Sequence, residues 1–315
     1  MNKQTYYIWV SEHNHYNDIS EEEAESIRLQ ALSLGMQLIN IESDEYPDSL
    51  REIDNPPLVL YCYGDISLLK DYSIAVVGTR RASPYGKWAA SEIGKCLAVN
   101  RVTHVSGMAE GIDSFGHIAV LDNGGKSIAV LGTGADVCFP KSSKPIYDEL
   151  MDKGLIISEY RPGTSGYPAN FPERNRIISA LSEKLVIVEG ALKSGSLITA
   201  KLALEQGKDL FAVPGNINQP NSIAPNSLIE DGAIPICNPS EIAETLGIGQ
   251  SIKARAKQEL SGIKKEIYEI VSLAGSIRIS DLVAELGKSL EKILAELTML
   301  ELQGFVSIEG DIIHI

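Results

Sequence analysis

Three stretches of this chain combine arginines, hydroxyls, glycines and aromatic rings at spacings that suit anion and base binding. The first reads Gly78-Thr79-Arg80-Arg81-Ala82-Ser83-Pro84-Tyr85-Gly86 and follows an apolar run. Ser83 and Pro84 are residue types that cap and open a helix. A helix start exposes free N–H groups and a partial positive charge, so with Arg80 and Arg81 beside it the turn fits a phosphate. The alternative is a structural turn with two solvated arginines. The spacing is not GxGxxG, so the ordinary dinucleotide fingerprint is absent.

The second stretch, Lys193-Ser194-Gly195-Ser196-Leu197-Ile198-Thr199-Ala200, also opens a helix after an apolar run. Ser196 stands where a P-loop needs its lysine, which disfavours ATP hydrolysis of that type. Small residues and hydroxyls still admit a phosphate oxygen, unless the turn only packs against a sheet. The third stretch, Phe171-Pro172-Glu173-Arg174-Asn175-Arg176, sets two arginines about an asparagine, close to Tyr167. Guanidinium clamps beside aromatic faces can hold a stacked single strand of nucleic acid. Otherwise Phe171 plugs the core and one arginine pairs with Glu173 or Glu189. Two further Gly-rich turns, beginning at Ser106-Gly107 and at Gly132-Thr133-Gly134, would complete a phosphate-friendly rim.

No catalytic centre is visible. His13, His15, His104, His117 and His314 stand in no motif with a nucleophile or metal ligands, and no acid/base pair has a recognisable spacing. His117 reads as a satisfied helix residue in preference to a general base. Cys62, Cys96, Cys138 and Cys237 lie far apart without CxxC spacing, so neither a metal site nor a disulfide framework is expected, and no cofactor is implied. The chain reads as reduced and cytoplasmic: it lacks a signal-peptide h-region, and no run approaches ~18 uninterrupted apolar residues.

The elements that must position these turns form a regular beat from residue 72 onward. Continuous Val/Ile/Leu blocks at 73–77, 102–105, 127–131, 155–158, 185–188, 209–213 and 234–237 read as strands buried on both faces. Helical patterns at 84–99, 112–121, 145–153, 174–181, 197–206 and 222–231 alternate with them. The fold class is therefore α/β, a Rossmann-like doubly wound and mostly parallel sheet, whose ligands bind outside the carboxyl ends of its strands. Ser20 and Glu23 have capping-box spacing and start a helix that runs to about Leu34. After a linker at 248–257, residues 258–315 give three helices and a hairpin, matching a winged-helix domain.

The net charge of −14 argues at first against a nucleic-acid partner. Counted by segment, residues 1–65 carry 13 acids and 3 bases, whereas residues 66–247 carry 19 acids and 17 bases. The acidity thus belongs mainly to a short N-terminal segment, and the core can keep a local basic rim.

The runs VVGTRRASPYG, SGMAEGID, IAVLGTG, FPERNRIIS, VEGALKSGSLITAKLALEQG and FAVPG occur here in this order. Together they closely resemble the DprA/Smf family, the DNA-processing proteins of bacterial natural transformation, over about residues 44 to 240. The resemblance implies a non-enzymatic protein that binds and protects single-stranded DNA and helps load the RecA recombinase, generally as a homodimer. It also implies DNA contacts by Gly78, Thr79, Arg80, Arg81, Ser106, Gly107, Phe171, Arg174, Asn175, Arg176, Lys193, Ser194, Gly195 and Ser196. It divides the chain into a divergent or truncated SAM-like region with a lead-in (1–65), a Rossmann-like domain (66–247), a linker and a winged helix. Glu110 departs from the family, which often has a basic residue there. The final helix, at 289–303, has Lys292 against Glu291, Glu296 and Glu301, so this module is expected to contact protein before DNA. The competing reading is a phosphoribohydrolase on a similar sheet, disfavoured because the PGGxGTxxE run of those enzymes is missing.

Overall fold

The continuous apolar blocks form the parallel part of a nine-stranded sheet. The structure is a computed structural model that describes residues 1–15, 19–192, 194–248, 261–302 and 305–314. Its strands are β1 (Gln37–Asn40), β2 (Val59–Gly64), β3 (Ser73–Val77), β4 (Thr103–Ser106), β5 (Ser127–Val130), β6 (Leu155–Ser158), β7 (Lys184–Ile187), β8 (Asp209–Ala212) and β9 (Ile234–Pro235). Their spatial order is β1-β2-β6-β5-β4-β3-β7-β8-β9. From β6 to β9 every pair is parallel.

Helices cover both faces, as strands without polar alternation require. The helices are α1 (Lys3–His15), α2 (Glu21–Ser33), α3 (Asp48–Arg51), α4 (Pro84–Val99), α5 (Ile112–Asp122), α6 (Lys144–Lys153), α7 (Asn170–Leu181), α8 (Gly195–Glu205), α9 (Ile223–Glu230) and α10 (Ile242–Thr245). Ile128, Val130 and Ile157 pack with Ile177 and Leu181 of α7 and Ala200 of α8. The alternate residues Ala129 and Ile156 pack with Ile8 of α1, Ala24 of α2 and Leu150 of α6. β5 and β6 therefore each feed two cores.

The boundary expected at residue 65 is not a structural boundary. β2 pairs antiparallel with β6, in register from Tyr61↔Ser158 to Gly64↔Leu155, and β1 pairs antiparallel with β2. The lead-in is thus the edge of the sheet, and Met1–Leu246 form one compact unit. Gly64 is obligatory there, with φ at +102° and any Cβ only 2.2 Å from the Gly154 carbonyl oxygen. α2 begins with the expected capping box of Ser20 and Glu23, whereas α1 has no counterpart in the sequence reading. α7 starts at Asn170, four residues before the expected 174. Pro172 falls in its first turn, where a missing N–H leaves no hydrogen bond unmade.

Residues from Gly247 onward form a second compact unit. Helices Gly262–Ala274, Ile279–Leu286 and Leu290–Leu302 enclose Ile267, Val271, Leu282, Ile293 and Leu297, all fully buried. A three-stranded antiparallel sheet of Ser276–Arg278, Ile312–His314 and Ser307–Glu309 completes this unit, one strand more than the expected hairpin. The expected linker at 248–257 lies outside the described residues apart from Ile248. No helix among the described residues is long and apolar enough to cross a membrane.

One polar cluster is sealed in the core. The Nδ1 atoms of His104 on β4 and His117 on α5 lie 2.8 and 2.7 Å from the Ser127 hydroxyl, and neither Nε2 has a hydrogen-bond partner among the described residues. Burial holds both rings neutral, His104 with its pKa pushed down to about 3 and His117 well below its ordinary value. The unfolded chain takes up these protons below about pH 6.5 and the folded one does not. Stability is therefore full above that pH and falls as the solution is acidified, by up to ~1.4 kcal/mol per pH unit for each ring. In urea denaturation between pH 6.5 and 5, His117→Gln is expected to show a shallower loss of stability than the parent, by about that amount per unit. Equal slopes would show that His117 is not buried neutral.

Candidate functional site

The strand order reverses at β3, which has β4 on one side and β7 on the other. Turns that leave neighbouring strands for opposite faces part at such a point and open a crevice at the carboxyl edge. Here the crevice has a volume of about 640 Å3 and lies among the turns after β3 and β7, the loop before α7 and the first turns of α5, α7 and α8. Ten of the fourteen residues singled out in the sequence line it: Gly78, Thr79, Arg80, Arg81, Phe171, Arg174, Asn175, Ser194, Gly195 and Ser196.

The turn after β3 is built as read, with Ser83 accepting the Gly86 N–H at 3.1 Å and Pro84 opening α4. Its helix start is nonetheless taken by an internal anion. The Ser83 N–H donates to Glu189 Oε2 at 2.9 Å, the Ser83 hydroxyl donates to Glu189 Oε1, and Asn221 Nδ2 approaches Oε2 at 3.5 Å. Gly86 leaves the space, since a Cβ there would stand 2.3 Å from Glu189 Oε2. The phosphate expected at the start of α4 is thus displaced by a buried carboxylate, and the turn presents Arg80 and Arg81 to the crevice instead.

α8 keeps its start open. Ser194 caps it, accepting the Ser196 N–H at 3.3 Å, and the two serine hydroxyls lie 2.8 Å apart. Among the described residues, nothing lies within 4 Å of the point where a Gly195 side chain would begin. A helix start edged by hydroxyls and glycine is an anion-binding surface. Lys193 lies outside the described residues.

On α7, Phe171, Arg174, Asn175 and Ile178 follow the i, i+3, i+4, i+7 spacing of one helix face and all line the crevice. Arg174 forms the floor. It is 4% exposed, with Nη1 donating to the Gly107 carbonyl at 3.0 Å and also to the Val130 carbonyl. Desolvation lowers its pKa to about 10, opposed by Asp113, so it remains a cation. Gly107 is required by this packing, because a Cβ would lie 2.4 Å from Arg174 Nη2. Ser106 donates its hydroxyl to the Val76 carbonyl at 2.8 Å. Neither Ser106 nor Gly107 lines the crevice; both support its floor from behind.

Arg176 corrects the sequence reading most sharply. It points away from the crevice into a bidentate pair with Glu159, at 2.7 and 2.6 Å, and its Nε donates to the Asn55 carbonyl at 3.0 Å. Both partners are about nine-tenths buried. One residue along a helix turns a side chain by about 100°, so Arg174, Asn175 and Arg176 cannot share a direction.

Of the lining residues outside that set, Phe139 and Asp113 bear most on the chemistry. Phe139 stacks on Phe171 with centroids 5.2 Å apart and planes tilted by 32°, and the Arg80 guanidinium lies 5.3 Å above the Phe171 ring. Phe139 follows the Gly-rich turn after β5, and that position at a strand's carboxyl end was its signal. Asp113, in the first turn of α5, is buried and accepts the N–H groups of Gly107 at 3.1 Å and Ala109 at 3.4 Å. Burial raises its pKa and Arg174 opposes the shift. Glu110 is exposed, accepts a hydrogen bond from Ser142 and does not line the crevice, so its departure from the family pattern falls outside the site. Among the described residues no group of three or more His, Cys, Asp or Glu could hold a metal ion.

The family model of DNA recombination-mediator protein A matches residues 37–247, which contain the whole sheet and every lining residue. The chain belongs to that family. It is 36% identical to Protein Smf of Escherichia coli over 281 residues, covering 86% of this chain and 75% of the relative. It is 43% identical to DNA processing protein DprA of Streptococcus pneumoniae over 194 residues, covering 62% of this chain and 68% of that one. The X-ray structure of DprA from S. pneumoniae aligns with a TM-score of 0.67 at 37% identity, over 74% of this chain and 80% of that one. DprA from Helicobacter pylori, described by its single-stranded DNA binding mode, aligns with a TM-score of 0.61 at 33% identity, over 67% of this chain and 95% of that one. These likenesses support a DNA-processing role.

The two arginines of α7 and the turn after β3 separate experimentally. Arg176→Ala leaves Glu159 buried without its partner and is expected to lower stability by about 3–5 kcal/mol. Arg80→Ala removes an exposed side chain and should stay within about 0.5 kcal/mol. Urea unfolding of both variants checks this, and a neutral Arg176→Ala would refute the structural role.

Proposed function

We propose that the crevice binds single-stranded DNA, with Arg80, Arg81 and the start of α8 holding phosphates and the Phe139–Phe171 pair receiving bases. The observation that carries this reading is the convergence of a cation–π pair, stacked rings and an open helix start at one switch point. Guanidinium groups and helix N–H groups bind phosphate without sequence preference, and aromatic faces stack on any base. The H. pylori relative's single-stranded DNA binding mode supports the same ligand. The protein acts without catalysis in this reading. The two buried acids nearest the crevice are engaged by N–H and hydroxyl donors, Glu189 at Ser83 and Asp113 at Gly107, and neither is placed as a free general base.

The bound strand would be protected and passed to the RecA recombinase by a homodimer. We assign the C-terminal unit as a winged-helix module that contacts protein. Its last helix carries Glu296, 3.8 Å from Lys264, and Glu301, which accepts the Ile308 N–H at 3.0 Å, so it offers little to a base edge.

Fluorescence anisotropy with a labelled ~30-nucleotide strand and its duplex, across a salt titration, tests the site. The expected results are preference for the single strand, a salt slope about 0.7 shallower for Arg80→Ala, and a loss of ~1–3 kcal/mol for Phe171→Ala with little change of slope. No binding at low salt, or two variants indistinguishable from the parent, would sink the assignment. Steady base release from nucleoside monophosphates would favour the hydrolase reading instead.

A further inference from the structure

A second cavity, of about 510 Å3, opens beside the loop between β6 and α7. Its walls include Glu12 of α1 together with Arg161, Thr164, Ser165, Tyr167 and Asn170. Gly166, Pro168 and Phe171 of the same stretch line the main crevice. The loop is thus a ridge shared by the two cavities, and a chain lying across residues 166–168 touches both.

Glu12 is the unusual member. Its side chain is 5% exposed and is ion-paired with Arg161 Nη1 at 3.4 Å, yet its Oε2 accepts no hydrogen bond among the described residues. Burial raises the pKa of this carboxyl, and Arg161 only partly opposes it. A buried acceptor without a donor is unfavourable by ~1–3 kcal/mol, and such groups normally find a partner. One ordered water could supply a donor but would occupy only about 30 Å3 of the cavity. Tyr167, 60% exposed, offers a ring at the same wall.

We propose that this cavity holds a guanine base of the bound strand, with the guanine N1–H and N2–H donors on Glu12 and the ring on Tyr167. Guanine is the one DNA base with two adjacent N–H donors on a single edge. Adenine and cytosine bring an amino group beside a ring acceptor, and thymine brings one N–H between two carbonyls, so each opposes the carboxylate with lone pairs. Arg161 supplies donors for the neighbouring O6, as arginine does for guanine elsewhere. The inference rests on the single-strand reading above and adds a base preference to it.

The test compares a thymidine 20-mer with the same strand carrying one central guanine, by anisotropy at fixed salt, for the parent, Glu12→Gln and Tyr167→Ala. The guanine should tighten binding by the parent at least about fivefold. Glu12→Gln should abolish that gain and leave the thymidine affinity unchanged, and Tyr167→Ala should reduce the gain. Excess guanosine monophosphate should compete for the gain alone. Absence of the gain in the parent, or its survival in Glu12→Gln, overturns the proposal. If Glu12→Gln fails to fold cooperatively, the exposed Tyr167 carries the decision, and an undiminished gain in Tyr167→Ala overturns it equally. Thymidine binding without a guanine gain refutes this cavity alone, whereas no binding of either strand refutes the single-strand reading as well.

Discussion

The crevice depends on one buried carboxylate. Glu189 sits at the end of β7, and its side chain reaches the N-cap residue of the helix that leaves β3. Its own carbonyl accepts the Thr79 N–H at 2.7 Å, so the two turns that flank the switch point are joined twice. Neighbouring glycines make the joint possible: Gly78 would place a Cβ 2.8 Å from the Glu189 carbonyl oxygen, and Gly86 would collide with the carboxylate. A buried anion is tolerated only where donors replace its water, and here the N–H and hydroxyl of Ser83 do so. The positive end of α4 is consumed in fixing the architecture. The start of α8, edged by Ser194, Gly195 and Ser196, remains among the helix starts that face the crevice.

A second buried charge shapes the floor. Arg174 lies under the ligand space with donors committed to the carbonyls of Gly107 and Val130. It is therefore a fixed positive potential more than a hand that reaches for phosphate. Charge held in a low-dielectric floor acts across several ångströms with less screening than an exposed lysine suffers. In the proposed reading, with Asp113 beside Arg174 offsetting part of that charge, this lets a chain of net charge −14 take an anionic ligand. Many of the acids lie in the first 65 residues, with Glu21, Glu22 and Glu23 exposed on α2, and solvent screens them beyond about 10 Å at ~0.1 M salt.

The interior of the sheet was legible because strands buried on both faces leave an unbroken apolar signature, and β3 and β6 match the expected spans of 73–77 and 155–158. The start of α4 was equally readable, since Ser83 and Pro84 are local signals that tertiary contacts did not override. The antiparallel edge was not recognised. Val59–Gly64 is an apolar run like the others, but no helix precedes it at the βαβ rhythm, and a lead-in was the simplest reading. α1 escaped because its buried face mixes Thr5, Ile8 and Glu12, two of them polar. For the site, residue type identified the turns and could not give direction. Arg174, Asn175 and Arg176 look equivalent in sequence, and only the helix phase sends two of them to the crevice and the third to Glu159. Long-range partners such as Glu189 on Ser83, 106 residues apart, leave no trace in local spacing.

In the proposed reading, the few exposed cations among the described lining residues determine how the crevice discriminates. Among the described residues lining the crevice, Arg80 and Arg81 are the exposed cations, since Arg174 is buried. Two phosphate contacts give a salt slope of only about −1.4 for a single strand, at ~0.7 for each. So shallow a dependence means that counterion release cannot supply most of the affinity. The remainder must come from the start of α8 and from rings that stack on exposed base faces. A duplex presents phosphates but no free base face, so it can recruit the weaker part of this surface only. In the proposed single-strand reading, selectivity follows from the scarcity of exposed arginine among the described lining residues, and added surface lysines would raise total affinity while eroding that selectivity.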